Sequence, residues 1–343
     1  MGQSSGLIYH WFFFLSDLPI PAGATITSAV VKWIAANNQG DRTTSLICKA
    51  SDEDDATVPT SVATFEAKSW MGTTQAGTVT GAWTGGTEYS SFDVSAVVQA
   101  VIDRPGWAYR QNMLLCFFDN GTENNQARQV ESMASNPGSC PIIEIAWTHP
   151  GIATRQIVAA ADQGEWRGSS FVLDGWHGTN FGSEYNGFFR FLSCPIPQGT
   201  TLTSAILEHF INENFYFVTS LVIDYYGNDV DDAVAPTSAA EGAALAKTTA
   251  VTRQTWSSKP DYFAMTSLDV TAVVQEIVSR DLYAAGNDVQ FIHDFISGGS
   301  DSRLIIQYYN PSSIRYLWRH LPLLYLEIPF SLGGGGSKIM MVL

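Results

Sequence analysis

Positive charge is scarce in this chain. Eighteen lysines and arginines stand against 33 aspartates and glutamates, a formal net charge of -15. Such a surface repels phosphate backbones and anionic lipid, so neither nucleic acid nor an acidic membrane is an expected partner. No apolar run reaches the roughly 18 residues that a membrane-spanning helix needs, and membrane insertion is not expected. The opening stretch, "MGQSSGLIYHWFFFLSDLPIP", has no basic region ahead of its apolar patch and reads as a strand rather than an export signal. Cysteine is nearly absent. Cys48, Cys116, Cys140 and Cys194 show no C-x-x-C spacing and are expected to be buried thiols, not a disulfide framework or a metal site.

Aromatic and apolar residues are abundant. They include 10 Trp, 13 Tyr and 19 Phe within a 45% apolar composition, ample for a packed core. At 343 residues the chain is long enough for about two domains. The sequence also repeats itself: "FDVSAVVQAVIDR" from Phe92 returns as "LDVTAVVQEIVSR" from Leu268, and "PIPAGATITSAVVK" from Pro19 returns as "PIPQGTTLTSAILE" from Pro195. "DDATVPTS" from Asp54 matches "DDAVAPTS" from Asp231, Asn112 lines up with Asn287, and Arg128 with Arg303.

In the repeated segment Val94, Val97, Val98, Val101 and Ile102 fall on one helical face, as do Val270, Val273, Val274, Ile277 and Val278. Asp93 and Asp269 stand where an N-cap acceptor is expected. Around each helix lie β-rich runs such as "AVVKWIAA", "NMLLCFF", "LVIDYY" and "PLLYLEI", separated by turn residues. The predicted fold is all-β: two tandem β-sandwich or jelly-roll domains, each with one short helix. The boundaries are a first sandwich at 1–150, a second and more complete one at 151–330, and a Gly-rich linker with an apolar tail at 331–343. The second half carries about 35 extra residues at its front, so the first half lacks a strand. The tail "KIMMVL" has strand length and admits two readings, a frayed end or a strand that completes an open sheet edge in its own chain or in a neighbour.

Catalytic signatures are missing. Gly2-Gln3-Ser4-Ser5-Gly6 spells G-x-S-x-G without the preceding strand that a nucleophile elbow requires. His10, His149, His177, His209, His293 and His320 form no H-E-x-x-H or other ligand spacing, and are expected to be surface or hydrogen-bonded histidines. One polar cluster recurs: Asp52, Asp54 and Asp55 return as Asp229, Asp231 and Asp232. Grouped carboxylates on a loop suit calcium, the one cofactor considered, and equally suit a solvated turn. Exposed tryptophan is a stacking platform for sugar rings, which nominates Trp70, Trp83, Trp107, Trp176 and Trp256. Sandwich cores also consume aromatics, and the two in Gly-flanked loop contexts, Trp107 and Trp176, are the selected carbohydrate-binding candidates.

The ordered string "P-x-G-x-T-x-x-S-A", "DDA…PTS", "TAVTRQTWSSKPDY" and "D-V-[ST]-A-V-V-Q", with a late arginine before an apolar strand, resembles the DNRLRE-type domain, a family of carbohydrate-binding-like jelly-roll modules. Half one departs from it at the front and lacks a clear T-W-x-x-x-P counterpart. The resemblance implies polysaccharide binding and a secreted or surface setting; similar modules occur in bacteriophage structural proteins. Three functions follow as expectations. The leading one is a non-enzymatic virion structural protein, such as a capsid decoration, head fibre or tail component, whose partners are other virion proteins, copies of itself and surface polysaccharide. The alternatives are a carbohydrate-binding module pair of a secreted or cell-surface protein, and a polysaccharide-cleaving enzyme.

Overall fold

The computed structural model describes residues 1–132, 141–173, 176–180, 183–216, 220–258, 260, 265–299, 303–306, 321–328 and 336–342. The chain forms two compact units, Met1–His149 with the returning Gly336–Leu343, and Pro150–Ser312 with His320–Gly335. Both are built almost wholly from antiparallel strands, so the chain is all-β.

In the first unit the strands are β1 (Gly2–Ser4), β2 (Leu7–Tyr9), β3 (Trp11–Leu15), β4 (Thr25–Ile34), β5 (Thr44–Ser51), β6 (Trp70–Val79), β7 (Glu88–Asp93), β8 (Met113–Asp119) and β9 (Ile142–Thr148). Helix α1 is Val62–Glu66 and α2 is Ser95–Ile102. The order β3-β8-β5-β6 makes one sheet, and β9-β4-β7 most of the other. Alternation sets the core: Phe13, Leu15, Leu46, Cys48, Leu115 and Phe117 are buried, while Phe12, Lys49 and Phe118 lie on the outer face. Strands β1 and β2 pair through Ser5 and Gly6, both at positive φ as a two-residue hairpin requires. Ser4 therefore sits in a hairpin arm, not on a nucleophile elbow.

The second unit contains β10 (Ile152–Gln156), β11 (Gln163–Arg167), β12 (Ser170–Val172), β13 (Trp176–Asn180), β14 (Ser183–Phe191), β15 (Ser204–Tyr216) and β16 (Leu221–Asn228). Helix α3 (Ala239–Ala243) precedes β17 (Lys247–Trp256) and β18 (Met265–Asp269). Helix α4 (Thr271–Val278) precedes β19 (Val289–Gly298), β20 (Arg303–Ile306) and β21 (Leu323–Glu327). One sheet runs β10-β21-β15-β18 and the other β14-β19-β16-β17; the long β15 bends through register shifts to reach β20 and β13, which join the two sheets. Beyond β21 the chain contributes β22 (Gly336–Val342), antiparallel to β9 in the first unit.

The repeat is visible pair by pair. Ala29 pairs with Ile145 as Ala205 pairs with Leu326, and Cys48 pairs with Phe117 as Tyr225 pairs with His293. The registers correct two alignments read from sequence. Leu15 pairs with Met113 as Phe191 pairs with Val289, which makes Asn112 the counterpart of Asp288 rather than Asn287. The bridge Ala35–Val130 answers Ile211–Ile306, which sets Leu304 rather than Arg303 opposite Arg128.

The helices α2 and α4 bury the predicted residues, Val94, Val97, Val98, Val101 and Ile102 in one and Val270, Val273, Val274, Ile277 and Val278 in the other. Helix α2 packs against strands of both sheets, β4 on one side and β5 and β6 on the other. Two expectations change. The N-cap residues are Val94 and Val270, one position later than read; Asp93 and Asp269 instead accept the N–H of Ser95 and Thr271. Each unit also has a second helix, because Ser61 and Ser238 of the two "PTS" segments cap a single helical turn.

Candidate functional site

The acidic loops hold an arginine. Arg104, two residues after α2 ends, donates Nε to Asp54 at 2.6 Å and Nη1 to Asp52. Arg280 does the same after α4, with Nε to Asp231 at 2.9 Å and Nη1 to Asp229. The third carboxylates tie down strand starts: Asp55 accepts from the Asn112 N–H, and Asp232 from the Asp288 N–H. Of the six carboxylates nominated for calcium, Asp52, Asp54, Asp229 and Asp231 have a guanidinium of the same chain as their counter-charge, and Asp55 and Asp232 are engaged by backbone N–H groups. Among the described residues no three His, Cys, Asp or Glu are grouped so as to hold a metal.

The carbohydrate expectation for Trp107 is corrected: it is buried, with its indole N–H given to the Ile20 carbonyl at 3.0 Å. Trp176 opens β13 opposite Ile305, and its side chain lies outside the described residues. Trp83 and Trp256 are core residues. Cys48, Cys116 and Cys194 are free and buried, and burial pushes the Cys194 thiol up to about 12; Cys140 lies outside the described residues. His209 departs from its expectation, for it is fully buried and neither ring nitrogen has a hydrogen-bond partner.

Trp70 is where the structure places an aromatic surface. It meets Phe118 edge to face at 4.9 Å on the outer side of β3-β8-β5-β6, and Phe65 of α1 packs on Trp70 at 5.4 Å and on Phe12 at 5.8 Å. His10 adjoins Phe118 at 5.0 Å, and the Lys49 ammonium lies over the same ring at 5.7 Å. Phe12 is 40% exposed, and Val62 beside it 73%. His10, Phe12, Pro59, Ser61, Val62 and Phe65 line a groove of about 360 Å³ along this face. Burial outweighs the nearby Asp119 charge and lowers the His10 pKa, so the imidazole at the groove is neutral at pH 7.

The second unit is built differently on this face. There β11 is added beside β14 at the sheet edge, with β12 beyond it, and the side chain of its Trp166, 6% exposed, packs on the outer face with Phe188 and Ile292; a Cβ on Gly242 would come within 2.6 Å of its ring. Register makes Phe188 the counterpart of Phe12, and the matched serine caps make Gly242 the counterpart of Phe65. The Arg190 Nε donates to Asp162 at 2.9 Å and ties the turn before β11 to β14; the first unit has Phe14 at that position. Most telling is one pair of sites. Lys247 and Asp294 form an ion pair where the first unit places Trp70 and Phe118. The same outer face is thus aromatic at these two sites in the first unit and ionic in the second. Sequence reasoning had Trp70 among its candidates but passed over Phe12, Phe65 and Phe118; the available signal was the strand alternation that puts Phe12 and Phe118 on the outer side.

No family model matches the chain, and no curated protein does. Among solved structures, a tandem CBM22 domain from Paenibacillus barcinonensis aligns over 94% of this chain and 83% of its own at 9% identity, with a TM-score of 0.17. The structure of infectious bursal disease virus Gx strain aligns over 99% and 83% at 9% identity (TM-score 0.19), and that of the Cowpea mosaic virus top component over 100% and 93% at 8% (TM-score 0.16). Likenesses this slight carry no argument about function.

Proposed function

We propose that the chain is a non-enzymatic structural and binding protein of a virion, and that it contacts polysaccharide through the outer face of its first unit. The observation that carries the binding reading is that Trp70 and Phe118 stand on this outer face where the second unit has a Lys–Asp pair. Sugar rings present apolar C–H faces, for which flat aromatics are suited partners; Trp70 and Phe118 stand beside a groove lined by Phe12 and Phe65, to which Thr60, Ser61 and His10 add polar groups. With a formal net charge of -15, a neutral polysaccharide is the expected class. The virion setting rests on the sequence resemblance to modules found in bacteriophage structural proteins. The same face also fits the alternative, a carbohydrate-binding module of a secreted or surface protein.

Affinity electrophoresis in gels cast with a panel of neutral polysaccharides tests the binding. The expected result is retardation by at least one of them, with Trp70→Ala weakening binding about tenfold, a loss near 1.4 kcal/mol, and Lys247→Ala leaving it unchanged. Equal migration in every gel, or retardation untouched by Trp70→Ala, overturns the reading. Mass spectrometry of density-banded particles separates the settings, since a virion component is present there in fixed copy number. Release of reducing ends from a retarding polysaccharide would instead mark an enzyme.

A further inference from the structure

Strand β22 occupies a place that the second unit fills from its own front. Ile145 of β9 and Leu326 of β21 are equivalent, since they pair with the repeat-related Ala29 and Ala205. On the far side of β21, Leu326 pairs with Ala153 of β10; on the far side of β9, Ile145 pairs with Ile339 of β22. The match continues without a shift, Ile152–Gln156 against Lys338–Val342, and both added strands are antiparallel to their partners. The first unit is therefore completed by a segment that reaches it only after the whole second unit has been traversed.

Two consequences of that route matter. Without β22, β9 is an edge strand beside the buried side chains of Ile143, Ile145 and Trp147, an open template of backbone N–H and C=O groups. Its hydrogen bonds to an added strand are the same whichever molecule supplies that strand. The sequence between β21 and β22 is also rich in glycine, the composition of a linker.

We propose that β22 is a transferable strand, and that its second acceptor is the β9 edge of another copy of this chain. The exchanged assembly contains the same β22–β9 ladder as the monomer, so its formation is governed by concentration. A tether of this length sets an effective concentration on the order of millimolar, and closure within one chain dominates below it. Crowding of copies, as at an assembly site, favours transfer. The proposal does not depend on the polysaccharide reading.

The register supplies the test. Lys338 stands opposite Ala146, which faces outward on β9. Full-length Ala146→Cys/Lys338→Cys protein is prepared unlabelled and ¹⁵N-labelled, mixed, unfolded and refolded at concentrations from micromolar to millimolar, and oxidised. Cross-linked peptides are then read by mass. The expected result is a 146–338 disulfide joining peptides of unlike isotope, its share rising with protein concentration toward the statistical limit. A 146–338 disulfide made only of like-isotope peptides at every concentration overturns the proposal. Absence of any 146–338 disulfide, with the protein folded by circular dichroism, also overturns it, because then β22 does not pair with β9 at all.

Discussion

At the scale of single residues, the duplication has kept the backbone and changed the chemistry inside it. Trp33, Cys48 and Phe117 of the first core are answered by His209, Tyr225 and His293 in the second. Trp33 and Phe117 pack edge to face at 5.5 Å, whereas His209 and His293 flank Phe189 and Tyr225 in a fully buried group. Burial lowers the His209 pKa to about 3 and holds His293 well below its ordinary value. Both are neutral when folded and take up protons only once unfolded, so their contribution to stability is constant above about pH 7 and falls as pH drops from about 6.5 toward 3. The slope approaches about 1.4 kcal/mol per pH unit for each histidine. Thermal denaturation across this range should show one transition that declines with acid, and His293→Phe, which restores the residue type of the first core, should flatten that decline.

The same scale shows what could be read in advance. The buried valines of the repeated helices were legible because helical spacing alone decides which face is apolar. The arginine clasps were not, since Arg104 is about fifty residues from Asp52 and Asp54 and only the fold joins them. Clustered carboxylates read from sequence look alike whether a cation or a guanidinium answers them.

At the scale of elements, the repeated segment explains itself as a docking device. Besides its apolar face, α2 carries Gln99, which accepts from the Ile26 N–H at 2.6 Å and donates to the Ala24 carbonyl at 3.0 Å. Gln275 of α4 serves Leu202 and Thr200 in the same way. Asp93 or Asp269 fixes the front of the helix, glutamine its side and arginine its end. The stem of the arginine clasp is partly exposed, so Arg104→Ala should cost only about 1 kcal/mol. Gln99→Ala strands two backbone groups and should cost about 1–3 kcal/mol. Chemical denaturation of the two variants should rank them in that order; the reverse ranking would mean that charge, not the amide, seats the helix. The outer faces illustrate the limit of element-level reading: alternation placed Phe12 and Phe118 on one side of a sheet, but what packs on that side, Phe65 of α1 in one unit and Trp166 against α3 in the other, is settled only by the fold.

At the scale of the molecule, the two units differ in how they are closed. The second is continuous from β10 to β21, and the first borrows β22. Deletion of Gly333–Leu343 should therefore lower the melting temperature of the first unit, followed by the burial of Trp33 and Trp147, and leave the histidine-dependent transition of the second in place. An unchanged first transition would show that β9 tolerates an open edge. The missing strand of half one and the strand-like tail were both visible in the sequence, because each is a local pattern. Their matching register was not, since pairing partners nearly two hundred residues apart leave no periodic trace.

That route also fixes an order of events during synthesis. On the ribosome the first unit emerges ahead of the second, yet β9 must wait for β22, by which time every strand of the second unit has been made. The earlier-born half is the later to finish, and until β22 has been made its unfinished edge is on offer to whatever nascent chain lies next to it.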